Sequence, residues 1–391
     1  MTSGGTDVVA VPGALSGCGE LATFGGWPGA LARVMSGESL SEDEAAAVIG
    51  EVLDGAATPA QTAAMLVALR MKGEIVEEMT GFVRAMLAHA VPLQVDGDVV
   101  DVVGTGGDRL SSINVSTLAA CIAAGAGVRV CKHGNRAASS SVGTADVLEA
   151  LGVAVDLGPV GVARCVEEVG FGFCFAPRYH PAMRYAGPVR KELGVPTVLN
   201  FLGPLANPAR ATRQLVGVSD PAMAPKMAEV LGSSGSVHAM VVHADDGLDE
   251  LSVTSASTIL EVVADPDTPG SCRFRTWRLE PEELGIARAP MSELRGGDAA
   301  FNAGVIRSVL GGERGSRRDI GVLNAAAALV VAGAASSLGD GAAMAAHALD
   351  SGRALGALEG LVRVSREESE AERMSGAQLP VEGSGLPSAA T

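Results

Sequence analysis

Between residues 104 and 146 the chain sets out three polar stretches, the first and third glycine-bearing, whose residue types suit phosphate chemistry. The first is Gly104-Thr105-Gly106-Gly107-Asp108, entered directly from Val102-Val103. Glycines at 104, 106 and 107 lack a Cβ, so backbone N–H groups can approach an anion closely. The pattern is neither G-x-x-x-x-G-K-[ST] nor a clean G-x-G-x-x-G, so alone it names no nucleotide fold. Asn114, Ser116 and Thr117 follow as a cluster of short polar groups at a helix start. Plain N-capping would use such residues, and a helix start is also a natural phosphate seat. The third stretch, Lys132 to Ser140, offers Lys132, Arg136, Ser139 and Ser140 to a multiply charged ligand. Asp108 is unexpected beside an anion unless it caps a helix, orients a hydroxyl or meets a bridging cation. Farther along, Asp249-Glu250 follows a glycine turn at Gly247, and Arg190 lies in Gly187-Pro188-Val189-Arg190-Lys191. In isolation a carboxylate pair or an arginine at such positions reads as solvated surface.

Elements able to gather these groups can be read from the apolar runs. Residues 98–103 and 128–131 form short β-rich runs, and residues 118–126 between them suit a helix opening at 114–117. Residues 146–152 read as a helix stopped by Gly152. Strand, loop, helix, strand, loop, helix is the pattern of a parallel sheet, whose ligands bind at the carboxyl ends of the strands. The three polar stretches are therefore expected to meet at one site. Residues 27–91 look wholly helical, with capping boxes at Ser41–Glu44 and Thr58–Gln61 and an apolar stripe of Ile75, Met79, Phe82, Val83, Met86 and Leu87. That stripe reads first as intramolecular core. From Val99 strands and helices are expected to alternate to about residue 335.

These residues carry a family resemblance. GTGGD at 104–108, NVST at 114–117, KHGNRAASS at 132–140, GTADVLEALG at 143–152, HPAMRYAGPVRKELG at 180–194, NFLGPLANPA at 200–209, DGLDE at 246–250 and LNAAAALVVAG at 323–333 resemble the anthranilate phosphoribosyltransferases. The likeness runs over roughly residues 27–364. It implies transfer of the 5-phosphoribosyl group from 5-phosphoribosyl 1-diphosphate to the amine of anthranilate, a step of tryptophan biosynthesis. It implies that the donor is held by Gly104, Gly107, Asp108, Ser112, Asn114, Val115, Ser116 and Thr117. Lys132, His133, Gly134, Asn135, Arg136, Ala137, Ala138, Ser139, Ser140 and Thr144 complete that set. Anthranilate is expected at Gly104, Asn135 and Arg190, with Arg190 gripping its carboxylate through a planar guanidinium. Mg²⁺, two ions per site, is expected at Ser116, Asp249 and Glu250. Hard oxygen donors suit that ion, and it would reconcile acidic residues with an anionic donor. No general acid or base is assigned. The aniline-type amine is already neutral near pH 7, and His133 reads as a packing or substrate contact. Arg109 stands where glycine is common, Ser112 where threonine is usual and Thr144 where serine is usual. The last two exchanges keep a hydroxyl.

The implied fold is α/β: a small all-helical domain plus a larger α/β domain with a mainly parallel central sheet. The expected division is a flexible extension over 1–26, a helical domain over 27–97 joined by part of 176–208, a catalytic domain over 98–365 and a disordered tail over 366–391. Both ends are expected to be dispensable. A homodimer through the helical domain belongs to the same resemblance. The 391 residues include 45 acidic and 29 basic side chains, for a net charge of −16, which argues against nucleic-acid binding. Aromatics are only 3% and glycines number 51, so packing must rely on small aliphatic side chains. Six cysteines without a C-x-x-C pair suggest a reducing cytoplasm. No apolar stretch reaches membrane length. A pyrimidine-nucleoside phosphorylase would share the architecture, but its glycine loop and base-reading residues differ. A non-catalytic paralogue binding nucleic acid or a regulatory ligand would have no need of Asp249, Glu250 and Arg190 together.

Overall fold

The computed structural model describes residues 21–108, 110–137 and 142–376. Arg109, Ala138, Ser139 and Ser140 lie outside the described residues, as do most of the N-terminal extension and residues 377–391.

Four helices open the chain: α1 (Gly26–Met35), α2 (Glu42–Leu53), α3 (Pro59–Lys72) and α4 (Val76–Ala88). Both expected capping boxes form. The Ser41 amide donates to the Glu44 carboxylate at 2.8 Å while Ser41 Oγ accepts from the Glu44 amide, and Thr58 and Gln61 exchange the same pair of bonds. Each cap satisfies amides that the helix leaves unpaired, worth about 0.5–2 kcal/mol. Met79, Phe82, Val83 and Met86 of α4 are buried inside the chain's own core. That core also takes in Ala186, Val198, Leu199, Phe201 and Leu205, so part of the 176–208 segment packs with the helical domain.

The larger unit is a seven-stranded sheet, ordered β3-β2-β1-β4-β5-β6-β7. Its strands are β1 (Val100–Gly104), β2 (Val130–Gly134), β3 (Phe171–Phe175), β4 (Arg213–Gly217), β5 (His238–Ala244), β6 (Ser257–Ala264) and β7 (Cys272–Leu279). The first five run parallel, and β6 and β7 join antiparallel. Alternation along the strands separates two cores. Val102, Leu215, Met240 and Val242 face one, while Val103, Val216, Ala239 and Val241 face the other, which is continuous with the helical domain. The helices α5 (Val115–Gly125), α6 (Thr144–Ala150) and α7 (Pro159–Val169) connect the early strands. The alanine-rich helix Ser316–Val331 is buried against α5 and the sheet.

Several expectations need correction. Strand–helix alternation stops at β5, since β6 and β7 follow it with no helix between; among the described residues only helical elements follow Leu279. Strand β2 is displaced two residues toward the carboxyl end, so Lys132 and His133 are strand residues rather than loop residues. Order at the amino end reaches back to Leu21, which begins a short 3₁₀ turn and is buried in the helical core. The expected tail is wrong over 366–375: the last helix is Arg353–Ser375. Its charged run is not solvated on all sides. Arg164 of α7 pairs with Glu367 and Glu368, Arg366 Nε donates to the Gly152 carbonyl at 2.7 Å, and Glu372 accepts from the Gly158 amide at 2.8 Å. Cross-helix partners, invisible to periodicity, keep this end helical.

Candidate active site

The carboxyl ends of β1, β2 and β5 and the amino end of α5 surround a cavity of about 340 Å³. It brings together Gly104, Gly107, Asp108, Ser112, Asn114, Val115, Ser116, Lys132, His133, Gly134, Asn135, Arg136, Ala137, Thr144, Arg190, Asp249 and Glu250. Thr117 does not line it; its side chain is fully buried and its hydroxyl has no partner.

The glycine loop is shaped by its neighbours. A Cβ on Gly104 would stand 2.4 Å from Asp249 Oδ2, so the strand end and the acidic loop can approach this closely only without one. Gly106 and Gly107 have φ of +66° and +81°, a region that favours glycine. The Gly106 amide donates to Asp249 Oδ2 at 2.7 Å, and the Thr105 amide donates to the Gly217 carbonyl at 2.9 Å. Asn114 does not cap α5 with its side chain. Its Oδ1 accepts instead from Asn302 Nδ2 at 2.9 Å, and the first amide of α5, that of Val115, donates to the Ile113 carbonyl at 2.8 Å.

Asp249 and Glu250 are buried rather than solvated. Burial, then the charge of Asp108, pushes the Asp249 carboxyl up to about 6. Burial and Asp249 push Glu250 up as well, partly offset by Lys132. Lys132 reaches the same centre from β2, donating to the Val102 carbonyl and to Ser116 Oγ at 3.1 Å. Burial drives its ammonium downward against the pull of Asp101, Glu250 and Asp249. Repulsion among Asp108, Asp249 and Glu250 is the condition a divalent cation relieves. No group of three His, Cys, Asp or Glu among the described residues could by itself hold a metal. The donor set therefore fits Mg²⁺ in its usual manner, with one or two carboxylates and the remaining ligands from substrate phosphates and water. Asp246 builds the turn. Its carboxylate accepts from the Leu248 amide at 3.0 Å, from Ser252 Oγ at 2.7 Å and from Thr254. Asp245 is a surface partner of Arg278.

The two arginines differ. Arg136 lines the cavity, but its guanidinium is engaged by Glu149 and Asp146 and lies 5.4 Å from the centre of the Phe175 ring. Arg190 is half-buried, and among the described residues no carboxylate pairs with it. Burial alone pulls its pKa down. A desolvated guanidinium facing a cavity without a counterion is suited to an anionic ligand. His133 Nδ1–H donates to the Gly203 carbonyl at 3.2 Å, and burial followed by His180 holds its pKa down at about 3. It is neutral at pH 7.

Several supporting residues carried no signal in sequence. Asp101 accepts from the His133 amide at 3.0 Å and from Asn207 Nδ2 at 2.7 Å, beneath Lys132. Burial lifts its carboxyl to about 6. Asn324 brackets Leu251, next to Glu250, through the Leu251 amide and carbonyl at 2.9 and 2.8 Å. Both lie inside quoted apolar or family segments, where only the oddity of a polar residue could have marked them.

Known proteins with this geometry are informative. Residues 96–355 match the glycosyl transferase family α/β domain, and residues 28–90 match the helical bundle domain of that family. An anthranilate phosphoribosyltransferase of Thermomicrobium roseum is 53% identical over 88% of this chain and 98% of its own. The crystal structure of the Thermus thermophilus anthranilate phosphoribosyltransferase superposes with a TM-score of 0.80 at 43% identity, covering 86% of this chain and 99% of that one. The Saccharomyces cerevisiae enzyme in complex with PRPP and Mg superposes with a TM-score of 0.77 at 26% identity, covering 89% of this chain and 98% of that one.

Proposed function

The chain belongs to the anthranilate phosphoribosyltransferase family, and on that premise we propose how its site performs the family's reaction. The 5-phosphoribosyl group passes from 5-phosphoribosyl 1-diphosphate to the anthranilate amine, giving N-(5-phosphoribosyl)anthranilate and diphosphate in tryptophan biosynthesis. The bond from C1 to the diphosphate oxygen breaks, the C1–N bond forms, and the amine gives up a proton to solvent or product diphosphate. The single observation that carries this reading is the pairing of opposite needs in one cavity. An anion-seeking Arg190 lines the same space as a glycine loop and two buried carboxylates. The pyrimidine-nucleoside phosphorylase reading is not favoured by the relatives.

The donor's phosphates meet the glycine loop and the amino end of α5, with Gly104, Gly107, Asp108, Ser112 and Asn114 to Ser116 around them. Lys132 adds buried positive charge, and Gly134, Asn135, Ala137 and Thr144 border the ribosyl side. Arg136 contributes to this set only if it exchanges Glu149 for a phosphate. Arg190 holds the anthranilate carboxylate, with Asn135 and the Gly104 backbone aligning the amine. Mg²⁺, two ions per site as the resemblance implies, would be held by Ser116, Asp249 and Glu250. Its chemistry, when bound, is to neutralise the departing diphosphate. Positioning and electrostatics carry the catalysis; His133, neutral and tied to Gly203, supplies packing rather than proton transfer.

A homodimer through the helical domain is supported by exposed Met35, Val67 and Met71 on α1 and α3, with Val67 and Met71 one turn apart. The five described cysteines are free thiols, which supports a cytoplasmic setting. No helix among the described residues is long and apolar enough to cross a membrane. The testing experiment is a fluorescence assay. Anthranilate emission falls when donor, Mg²⁺ and the protein are combined, and stays constant if the reading is wrong.

A further inference from the structure

The glycine loop is pinned from a place that no family motif covers. Ser219, two residues beyond β4, donates from Oγ to the Gly106 carbonyl at 2.9 Å, and its amide donates to Thr105 Oγ1 at 3.2 Å. Thr105 Oγ1 in turn donates to the Gly106 carbonyl at 3.2 Å. Two hydroxyls thus converge on one peptide oxygen, and Ser219 holds both its own hydroxyl and its neighbour's in place.

That oxygen belongs to the peptide joining Gly106 to Gly107. A trans peptide is planar, with its C=O and N–H pointing in opposite directions. Fixing the Gly106 oxygen toward Ser219 therefore fixes the Gly107 N–H away from it. Among the described residues the Gly107 N–H has no acceptor, whereas the Gly106 N–H is engaged by Asp249. With glycine on both sides, no Cβ resists rotation of this peptide, and its direction is left to hydrogen bonds. We infer that Ser219 is a positioning residue for the donor: it orients the Gly106–Gly107 peptide so that the Gly107 amide is presented to the diphosphate. The inference rests on the proposed function for the identity of the anion.

The test compares Ser219→Ala, Ser219→Thr and Ser219→Val. Threonine keeps the hydroxyl, and valine copies threonine's shape without it. Diphosphate is held in both ground state and transition state, so losing the orienting bond acts on binding. The Ala and Val variants are expected to raise the donor KM about three- to tenfold and to weaken calorimetric diphosphate binding by the same factor. The anthranilate KM should stay within about twofold, and the Thr variant should match the wild type. Melting temperatures of all four proteins exclude a general loss of fold. Unchanged donor KM and diphosphate affinity in the Ala variant, or Thr and Val variants that behave alike, overturn the role of Ser219. A wild-type protein that binds diphosphate with this hydroxyl dependence but transfers nothing to anthranilate overturns the functional reading and leaves the loop inference standing.

Discussion

Asp249 Oδ2 accepts the Gly106 amide at 2.7 Å, so the acidic loop after β5 and the glycine loop after β1 are joined before any ligand arrives. The contact uses one oxygen of a carboxyl that burial and Asp108 have already pushed up to about 6. One side chain therefore shapes the glycine loop and, in the function proposed above, is the one that takes a cation.

This arrangement separates activity from stability. Asp249→Asn with Glu250→Gln keeps oxygen acceptors of similar shape and removes two buried charges that repel. Turnover should fall at least about a hundredfold, the scale of a lost charge-stabilising group at a reacting centre. The melting temperature should stay level or rise, because a desolvated carboxylate cluster has been neutralised. Rates across a magnesium titration, set beside calorimetric melting, check both halves. Wild-type turnover in the double variant would remove the metal role.

Arg190 has no carboxylate to lose among the described residues, so its removal should spare the fold. Arg190→Ala is expected to raise the anthranilate KM by roughly ten- to a hundredfold, about 1.5–3 kcal/mol for a charge-assisted contact. The donor KM should change little. Steady-state kinetics with each substrate varied in turn decides this, and equal effects on both substrates would count against a carboxylate clamp.

His133 titrates near 3 in the folded chain against an ordinary 6.5. Between those values the unfolded chain binds a proton that the folded chain refuses. Its contribution to stability is therefore complete above about 6.5 and is lost as pH falls toward 3. Asp101 works in the opposite sense. With its carboxyl near 6 instead of 3.8, it favours the folded state below 3.8 and loses that advantage as pH rises through 6. His133→Gln should flatten the acid limb, so that melting temperature drops less between pH 6.5 and 4.5 than in the wild type. Parallel acid limbs by calorimetry would contradict the neutral, buried imidazole.

The last helix gives a prediction opposite to the one composition suggests. Ending the chain at residue 365 removes Glu372 from the Gly158 amide at the start of α7, Arg366 from the Gly152 carbonyl, and Glu367 and Glu368 from Arg164, which keeps Glu168 alone. The lost cap alone should cost about 1 kcal/mol. A chain ending at 376 should melt like the full protein, and one ending at 365 clearly lower. Equal melting of the two would show that this end of the helix is dispensable.

Local patterns were enough for much of this protein. The capping boxes at Ser41 and Thr58, the core stripe of α4 and the strand–glycine–helix order from Val100 to Ala150 all depend on residues close in sequence, where propensity and hydrogen-bond geometry act over one or two turns. The family motifs likewise marked most of the residues that line the cavity. What sequence could not decide were relations across long separations. Asp101 and Asn207 meet only because β1 and β2 lie side by side with a loop folded over them. Ser219 reaches Gly106 because β4 pairs with β1. Asp249 and Glu250 could pass for surface acids until β5 carried them under the glycine loop, where desolvation changed their chemistry. The run from Arg366 to Glu372 reads as a tail until α7 offers partners. A side chain's type is written locally, but its burial, its partner and hence its charge state depend on what the folded chain brings against it.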